Sequence, residues 1–308
     1  MNTHTTPKAD VYTRVTDKIV AALEAGVRPW MQPWSVEHAA GRISRPLRAN
    51  GKPYQGVNVL LLWGEAMDKG YVTPFWMTFK QAMGLGGRVR KGEHGSLVVY
   101  ADTLRKTETD EETGEEMERA IPFMKGYTVF NVEQIEDLPE RYYAKPVEPL
   151  PASERLEHAD RFFRNTRADV RYGGNRAYYS IKDDYIQIPP FEAFRDAESF
   201  AATLAHETVH WTRAASRLDR DLGRKHWGDE GYAREELVAE LGSAFLCADL
   251  GLAPEILEDH AAYIDSWTKV LKDDKRFIFT AASHAQRAAD YLHSLQKAGL
   301  EVPETEAA

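Results

Sequence analysis

Two histidines enclose a glutamate in the stretch 206–210, His-Glu-Thr-Val-His, which has the form H-E-x-x-H. Residues four apart share one face of an α-helix, so the imidazoles of His206 and His210 can bind the same metal ion. Glu207 lies one position round the helix and can take a proton from a metal-bound water. The pattern favours a zinc-hydrolase site over the alternative, two histidines with structural partners only.

The residues around the motif predict a helix that would hold it. Asp196 is a suitable N-cap residue, and the residues that follow it suit a first helical turn. Apolar residues occur around the histidines, at Phe200, Leu204, Val209 and Trp211. We therefore expect a buried helix with the two imidazoles on one face.

A tetrahedral catalytic zinc ion takes three protein ligands and a water, so a third ligand is expected downstream. Residues 232–250 carry apolar residues at helical spacing and predict a second buried helix. Glu236 and Glu240 form an i, i+4 pair on one face of that helix, whereas Glu235 points elsewhere. One acid can bind the metal while the other accepts the free N–H of a bound imidazole. A solvated charged face is the alternative interpretation of the pair.

These two helices resemble those of the gluzincin metallopeptidases. In that family the first helix carries HExxH, and the second carries a ligand Glu followed four residues later by a supporting acid. The resemblance implies that Glu236 is the third ligand and that Glu240 accepts the N–H of a ligand histidine, with the reverse order left open. The expected cofactor is Zn²⁺, for which Mn²⁺ or Co²⁺ can substitute.

Peptide-bond hydrolysis is the reaction that suits such a site. Zinc lowers the pKa of its bound water and polarises a carbonyl, while Glu207 moves a proton from the water to the leaving amine. The oxyanion needs a further donor, for which Tyr232, His226 and Tyr263 are candidates. We assign Tyr232 to catalysis with Glu207, a choice that the sequence alone does not force.

Composition limits the class of protein. With 308 residues, 43% of them hydrophobic, the chain is long enough for two domains with their own cores. Its single cysteine, Cys247, excludes an intrachain disulfide framework and a multi-cysteine zinc site. The sequence shows neither an apolar signal region near its first residues nor a run of roughly 20 apolar residues, so we expect a cytoplasmic protein without a membrane partner.

Charge is segregated along the chain. Residues 1–100 contain 13 Lys and Arg against 7 Asp and Glu, whereas residues 101–150 contain 6 against 13 and residues 151–308 contain 20 against 28. The overall net charge of −9 therefore hides a basic N-terminal region. Such asymmetry suggests two different partners.

The basic region interleaves cations with aromatic rings. Pro29 and Pro33 stiffen the segment that presents Trp30 and Trp34. Cations follow phosphates and unpaired bases stack on rings, so the pattern suits single-stranded DNA, although a pinned loop with solvated charges is the alternative. The predicted DNA contacts are Trp34, Arg45, Arg48, Lys52, Tyr54, Arg88, Arg90 and Lys91.

The coarse pattern predicts an α+β protein of two domains. The N-terminal one should have a helix over 8–25 and a small sheet whose hairpin pairs 97–100 with 123–132, with the acidic stretch 106–119 as a mobile tip. The C-terminal one should have helices and a hairpin over 171–190. In zincin-like folds an edge strand above the metal helix binds extended substrate, and the strand at 184–189 is the expected candidate for that edge.

Six stretches of sequence are similar to those of the ArdC-type antirestriction proteins of conjugative plasmids. They are LEAGVRPWMQPW with NGKPYQGVN, WMTFKQAMGLGGRVRKGEHG, YTVFNVEQIEDLP, LAHETVHWT and EELVAELGSAFL. The resemblance implies a single-stranded-DNA-binding domain over 1–140, a Pro-rich linker over 141–153 and a zincin-like, gluzincin-type metallopeptidase domain over 154–308. It also implies a role in protecting incoming DNA from host restriction.

Three functions compete on this basis. The first is a DNA-binding metalloprotease whose substrates are host restriction proteins or other DNA-associated proteins. The second is a passive single-stranded-DNA-binding protein whose zinc domain is structural or regulatory. The third, a zinc enzyme that acts on DNA, is disfavoured because phosphodiester cleavage more often uses paired metals. The intact acid at Glu207 favours the first, since a purely structural site does not need it.

Overall fold

The computed structural model describes residues 10–31, 44–109, 116–143, 151–223, 229–253 and 260–298. Several sequence predictions fall outside these ranges. They concern Trp34 as a DNA contact, His226 as an oxyanion donor, the outer part of the acidic tip (110–115) and most of the linker (144–150).

Among its described residues, the N-terminal half contains three α-helices and six strands. The first helix begins where the Asp10 carboxylate accepts a hydrogen bond from the Thr13 backbone N–H at 2.8 Å, and it buries one apolar face. The elements are α1 (Val11–Glu24), β1 (Leu47–Arg48), α2 (Val57–Lys69), β2 (Phe75–Met77), α3 (Phe79–Gly84), β3 (Arg88–Val89), β4 (Ser96–Thr109), β5 (Glu116–Asn131) and β6 (Ile135–Glu136).

Four of these strands form one sheet in the order β1-β2-β5-β4, and β3 pairs with β6. The predicted hairpin of β4 and β5 is confirmed, but it is longer than expected, with antiparallel pairing that runs from Ser96↔Val129 to Thr109↔Glu116. Much of the acidic stretch therefore belongs to paired strands instead of a loose tip. The pairing extends this far because the inter-strand hydrogen bonds of a ribbon join backbone groups and do not depend on apolar side chains.

The C-terminal half places a small sheet over a set of packed helices. Its elements are α4 (Ala152–Asn165), β7 (Asp169–Tyr172), β8 (Tyr178–Ser180), β9 (Tyr185–Ile188), α5 (Ala197–Trp211), α6 (Glu230–Leu250), α7 (His260–Asp273) and α8 (Phe277–Ala298). The long helix α6 contacts α5, α7 and α8. Among the described residues, no helix combines the length and the apolar content that crossing a membrane requires.

The sequence prediction about the substrate edge is wrong in one respect. The hairpin of β8 and β9 forms as expected, but β9 lies in the middle of the sheet, which has the order β7-β9-β8. Its second side is covered because β7 pairs with it in parallel, from Asp169↔Tyr185 to Tyr172↔Ile188. The edge strand beside the motif helix is β8, which contacts α5.

The two halves share one hydrophobic core. The Trp30 indole is fully buried, with its ring edge-to-face against Trp267 at 6.1 Å between centroids, so it is not the exposed ring that the sequence suggested. Trp63 of α2 likewise packs against Phe245 of α6 at 5.9 Å. Because apolar side chains from both halves form one continuous cluster, each half lacks part of its core without the other.

Gly242 sets the spacing between the two helices that carry the candidate site. A Cβ built at this position of α6 would lie 2.8 Å from a methyl group of Val209 on α5. Gly242→Ala is therefore expected to destabilise the protein by about 1–3 kcal/mol through overpacking, measured by urea unfolding. Gly84→Ala is the control, since nothing lies within 4 Å of that Cβ. Equal unfolding midpoints for the two variants would contradict the prediction.

Candidate metal centre

The motif lies on α5, as the sequence predicts. The helix begins at Asp196, whose carboxylate accepts a hydrogen bond from the Ser199 backbone N–H at 2.7 Å. His206, Glu207 and His210 are all buried, with exposed fractions of 6–8%. Charged or polar groups are rarely buried to this extent without partners, so the site needs compensating interactions.

Three donor groups converge between α5 and α6. The Nε2 atoms of His206 and His210 lie 3.1 Å apart, and Glu236 carboxylate oxygens lie 3.4 Å and 3.5 Å from them respectively. In a tetrahedral zinc site with bonds of roughly 2.0–2.1 Å, ligand atoms are about 3.3 Å from each other. Two imidazoles and one carboxylate at these separations fit a divalent metal ion. Among the described residues, His206, His210 and Glu236 form a group of three possible metal ligands with this geometry.

The outer nitrogen of His210 is held by a carboxylate to which the sequence pattern gave no role. Its Nδ1 lies 3.2 Å from Glu235, and Glu235 in turn accepts two hydrogen bonds from Arg220, at 2.7 Å and 2.9 Å. The prediction that Glu235 points elsewhere is therefore wrong. The helix α6 is buried on several sides, so the position next to Glu236 also faces protein, and the Arg220 guanidinium satisfies the charge there.

Glu240 occupies the corresponding position behind the other imidazole. Its Oε2 lies 3.9 Å from Nδ1 of His206, on the side of the ring away from the converging donors. Its Oε1 accepts hydrogen bonds from Arg28 Nη1 at 3.1 Å and from Trp30 Nε1 at 3.4 Å. Glu236 thus lies among the converging donor atoms and Glu240 lies outside them. This arrangement supports Glu236 as the third ligand and Glu240 as the acid that accepts the N–H of His206.

Burial and neighbouring charges decide the protonation of the cluster. Burial lowers the pKa of His210, but the Glu236 charge and the hydrogen bonds that His210 donates to the Glu235 and Glu236 carboxylates outweigh it and raise that pKa to about 10. The pKa of Glu235 falls to about 2 because the Arg220 and His210 interactions outweigh burial. The pKa of Glu236 is likewise lowered, despite its burial, by both histidines. These shifts favour protonated imidazoles paired with ionised carboxylates in the metal-free protein, and a bound divalent ion would replace the imidazole protons.

Glu207 lies against the edge strand. Burial raises the pKa of its carboxyl group, while His206 and His210 oppose that shift. A hydrogen bond from the Tyr179 backbone in β8 reaches the carboxylate. A carboxylate with a raised pKa is a better proton acceptor near neutral pH than an ordinary surface glutamate. Its position and environment suit the role of a base.

Tyr232 is close to the donors, as its assignment to catalysis requires. Its hydroxyl hydrogen-bonds to the Glu236 carboxylate and to the Tyr263 hydroxyl, the latter at 2.9 Å. Burial, followed by the Glu236 charge, raises the pKa of Tyr232, so this phenol keeps its proton and can donate it. Tyr263 lies one step further from the donors and supports Tyr232.

The predicted DNA contacts divide into two groups. Arg45 and Tyr54 have structural surroundings: the Arg45 guanidinium forms two hydrogen bonds with Asp249, at 2.9 Å and 3.0 Å, and lies 4.3 Å above the Phe245 ring. Tyr54 is buried, so its ring faces protein instead of solvent. Both side chains are therefore engaged within the protein and are not offered to DNA.

The remaining described cations lie at the surface of the N-terminal half. Arg88 forms an exposed ion pair with Glu136 at 3.3 Å, and Arg90 forms one with Glu93 at 2.7 Å. Exposed pairs of this kind contribute little to stability, so each arginine can exchange its carboxylate for a phosphate. Of the predicted contacts, the exposed basic residues are Arg48, Lys52, Arg88, Arg90 and Lys91. Arg88 and Arg90 flank Val89, which packs against a small apolar cluster that includes Met77 and Ile135.

Two arginines at the metal centre were not predicted from the sequence. Arg28 and Arg220 hold the carboxylates behind His206 and His210, yet neither has a fixed spacing to the motif. A buried anionic pair on α6 implies that cations must compensate it, but not which cations. The buried carboxylates of α6 therefore indicate that compensating arginines or lysines exist, but they do not identify Arg28 and Arg220.

Comparison with protein-family models finds two matches. Residues 9–130 match the N-terminal domain of anti-restriction factor ArdC, and residues 157–284 match a zincin-like metallopeptidase model. Among curated proteins, the uncharacterized protein y4eC of Sinorhizobium fredii is 44% identical over 96% of both chains. An Escherichia coli protein named DNA primase TraC is 35% identical over 98% of this chain, which covers 29% of that longer protein.

Solved structures give the same result. The metal-free crystal structure of antirestriction ArdC protein from plasmid R388 is similar with a TM-score of 0.79 and 47% identity, covering 94% of this chain and 99% of that one. The Mn(II)-bound structure of that protein has a TM-score of 0.77 and 45% identity, with 93% and 98% covered. The family likeness thus extends over both halves of the chain.

Proposed function

This chain belongs to the ArdC-type antirestriction proteins, and from that membership we propose that it binds single-stranded DNA and hydrolyses peptide bonds at a zinc centre. In this proposal it protects incoming plasmid DNA by cleaving host restriction proteins or other proteins on the entering strand. The observation that carries the enzymatic part is the convergence of His206, His210 and Glu236 beside the buried base Glu207.

Each residue of the site has a distinct role in this reaction. His206, His210 and Glu236 would hold the ion, which supplies an activated water and polarises the substrate carbonyl when it is bound. Glu207 accepts the proton of the attacking water and delivers it to the leaving amine. Tyr232 remains protonated and donates a hydrogen bond to the developing oxyanion.

The edge strand β8 suggests how a substrate would lie. Its second side is unpaired in the three-stranded sheet, and the Tyr179 backbone reaches Glu207. An extended peptide that adds to this edge by main-chain hydrogen bonds would bring its own carbonyl groups near the base. The substrate class is therefore an extended or locally unfolded protein segment, not a free amino acid derivative.

Metal removal tests the enzymatic proposal. The zinc-loaded full-length protein is incubated with a restriction endonuclease, with and without a single-stranded oligonucleotide, and products are identified by mass spectrometry. Protein treated with EDTA should give no fragments, and addition of zinc should restore them. Absence of metal-dependent fragments with this endonuclease and with fluorescein-labelled casein would contradict proteolysis.

The DNA-binding proposal predicts a salt dependence. Arg48→Ala combined with Lys52→Ala should weaken binding of a single-stranded oligonucleotide and lower the slope of log affinity against log salt by about 0.7 for each phosphate that the protein no longer neutralises. Arg161→Ala combined with Arg164→Ala, at two exposed positions on α4, serves as the charge-matched control and should leave binding unchanged. Binding is measured by fluorescence anisotropy at several salt concentrations. A double variant with the wild-type slope would remove these residues from the interface.

A further inference from the structure

The two imidazoles of the metal centre are supported in the same way but from different parts of the chain. Each has a carboxylate next to its Nδ1 atom, and each carboxylate is held by a buried arginine. For His210 both partners, Glu235 and Arg220, belong to the C-terminal half. For His206 the carboxylate of Glu240 is on α6, but the arginine is Arg28, 212 residues away in the N-terminal half.

The contact of Arg28 with Glu240 is buried and specific. Side-chain exposure is 9% for Arg28 and 4% for Glu240, and the indole N–H of Trp30 donates to the same carboxylate oxygen. A buried ion pair of this kind costs desolvation free energy and is weak evidence for added stability. Its presence next to a metal ligand points to a role in fixing geometry.

His206 is the imidazole that needs this support. Its Nδ1 atom is buried and lacks a hydrogen-bond partner among the described residues, while Oε2 of Glu240 faces it at 3.9 Å. When the other ring nitrogen binds an ion, Nδ1 carries the proton and donates it to such a carboxylate, which fixes the tautomer and the ring plane. Glu240 can do this only if its other oxygen remains held.

A second chain of contacts connects the same segment to Glu236. The Trp30 ring packs on Trp267, Trp267 stacks on Tyr263 at 5.9 Å, and Tyr263 stacks on Tyr232 at 6.1 Å. Tyr232 then hydrogen-bonds to Glu236. Residues 28–30 therefore contact, through one or more side chains, two of the three proposed ligands.

We propose that Arg28 is a positioning residue through which the N-terminal half sets the orientation of His206 and the metal affinity of the centre. The metal centre is then a composite of both halves, and removal of the Arg28 guanidinium weakens ion binding without removing a ligand. Because metal affinity and the placement of residues 28–30 are linked, any partner that shifts this segment changes metal binding, and the reverse holds equally. The inference rests on the proposed metal site.

The test measures zinc affinity of full-length variants by competition with a chelating indicator dye. Arg28→Met should weaken zinc binding by about tenfold, toward the 10–100-fold range typical for loss of a group that supports a ligand. Arg28→Lys, which keeps the charge, should recover part of the loss. Arg45→Met is the matched control, because it removes another arginine–carboxylate pair between the two halves, that with Asp249, at a distance from the ligands.

A double-mutant cycle separates positioning from general loosening. Glu240→Gln should weaken zinc binding to a similar extent as Arg28→Met, and the double variant should be no weaker than Glu240→Gln alone. Wild-type affinity for Arg28→Met, or equal losses for Arg28→Met and Arg45→Met, would overturn the inference. Retention of zinc by His210→Ala would instead overturn the metal site itself, and with it this inference. If Arg28→Met does not fold, the Arg28→Lys and Glu240→Gln variants still decide the comparison.

Discussion

Glu207→Gln is expected to lower peptide hydrolysis by about 10²–10⁴-fold, the usual contribution of general acid–base catalysis, while zinc and DNA binding stay at wild-type levels. Gln has nearly the same size as Glu but cannot accept the proton of the attacking water. Glu207 is not among the converging donors, so its replacement leaves the ligand set intact. Cleavage of fluorescein-labelled casein, zinc content and oligonucleotide binding give the three readouts.

The same variant separates the two functions that remain in competition. Transfer of an unmodified plasmid into restricting cells reports protection directly. If Glu207→Gln loses protection together with proteolysis, the enzymatic mechanism is supported. Full protection by a variant that no longer cleaves protein would leave DNA binding alone as the mechanism. Glu192→Gln, at an acidic position outside the ligand set, is the matched control and should keep wild-type activity in each assay.

Arg220→Met is expected to destabilise the protein by about 3–5 kcal/mol, because it leaves the Glu235 carboxylate buried without its partner. Arg220 also donates to the Val209 carbonyl at 2.9 Å and to the Thr212 hydroxyl at 3.1 Å, so the end of α5 loses further support. Urea unfolding of the metal-free protein measures the change. Zinc binding should weaken as well, since the carboxylate behind His210 is then no longer held.

Two controls define this prediction. Arg164→Met removes an exposed ion pair with Asp160 and should unfold like the wild type. Arg220→Met combined with Glu235→Leu removes both charges and should recover part of the stability, because no uncompensated charge remains buried. A single Arg220→Met variant that unfolds like Arg164→Met would show that the buried pair carries no stability.

Local spacing determined most of what the sequence predicted at the metal centre. The placement of His206 and His210 on one face follows from helix periodicity, and the pair Glu236 and Glu240 follows from a second apolar segment at helical spacing, whereas the choice of Glu236 as ligand came from the gluzincin resemblance. The N-cap at Asp196 and the hairpin of β8 and β9 likewise depend on residues within a few positions of each other. Such features need little knowledge of how distant segments pack.

The predictions that failed depend on packing between distant segments. Trp30 and Arg45 have the residue types of a nucleic-acid surface, but the C-terminal helices provide Trp267 and Asp249 to receive them. Nothing in a loop rich in Pro and Arg shows whether another element covers it. The wrong assignment of β9 to an edge has the same cause, because parallel pairing with β7 is not visible in a hairpin pattern.

The continuous core also bears on how such proteins are rearranged in evolution. A cut between the halves would expose Trp30 and Trp63 and their partners Trp267 and Phe245, so neither piece would be a good candidate for inheritance alone. The match to DNA primase TraC agrees with this, since 98% of the present chain aligns within 29% of that longer protein. The transferable module is the whole pair of halves, and fusion partners are expected at its ends instead of between them.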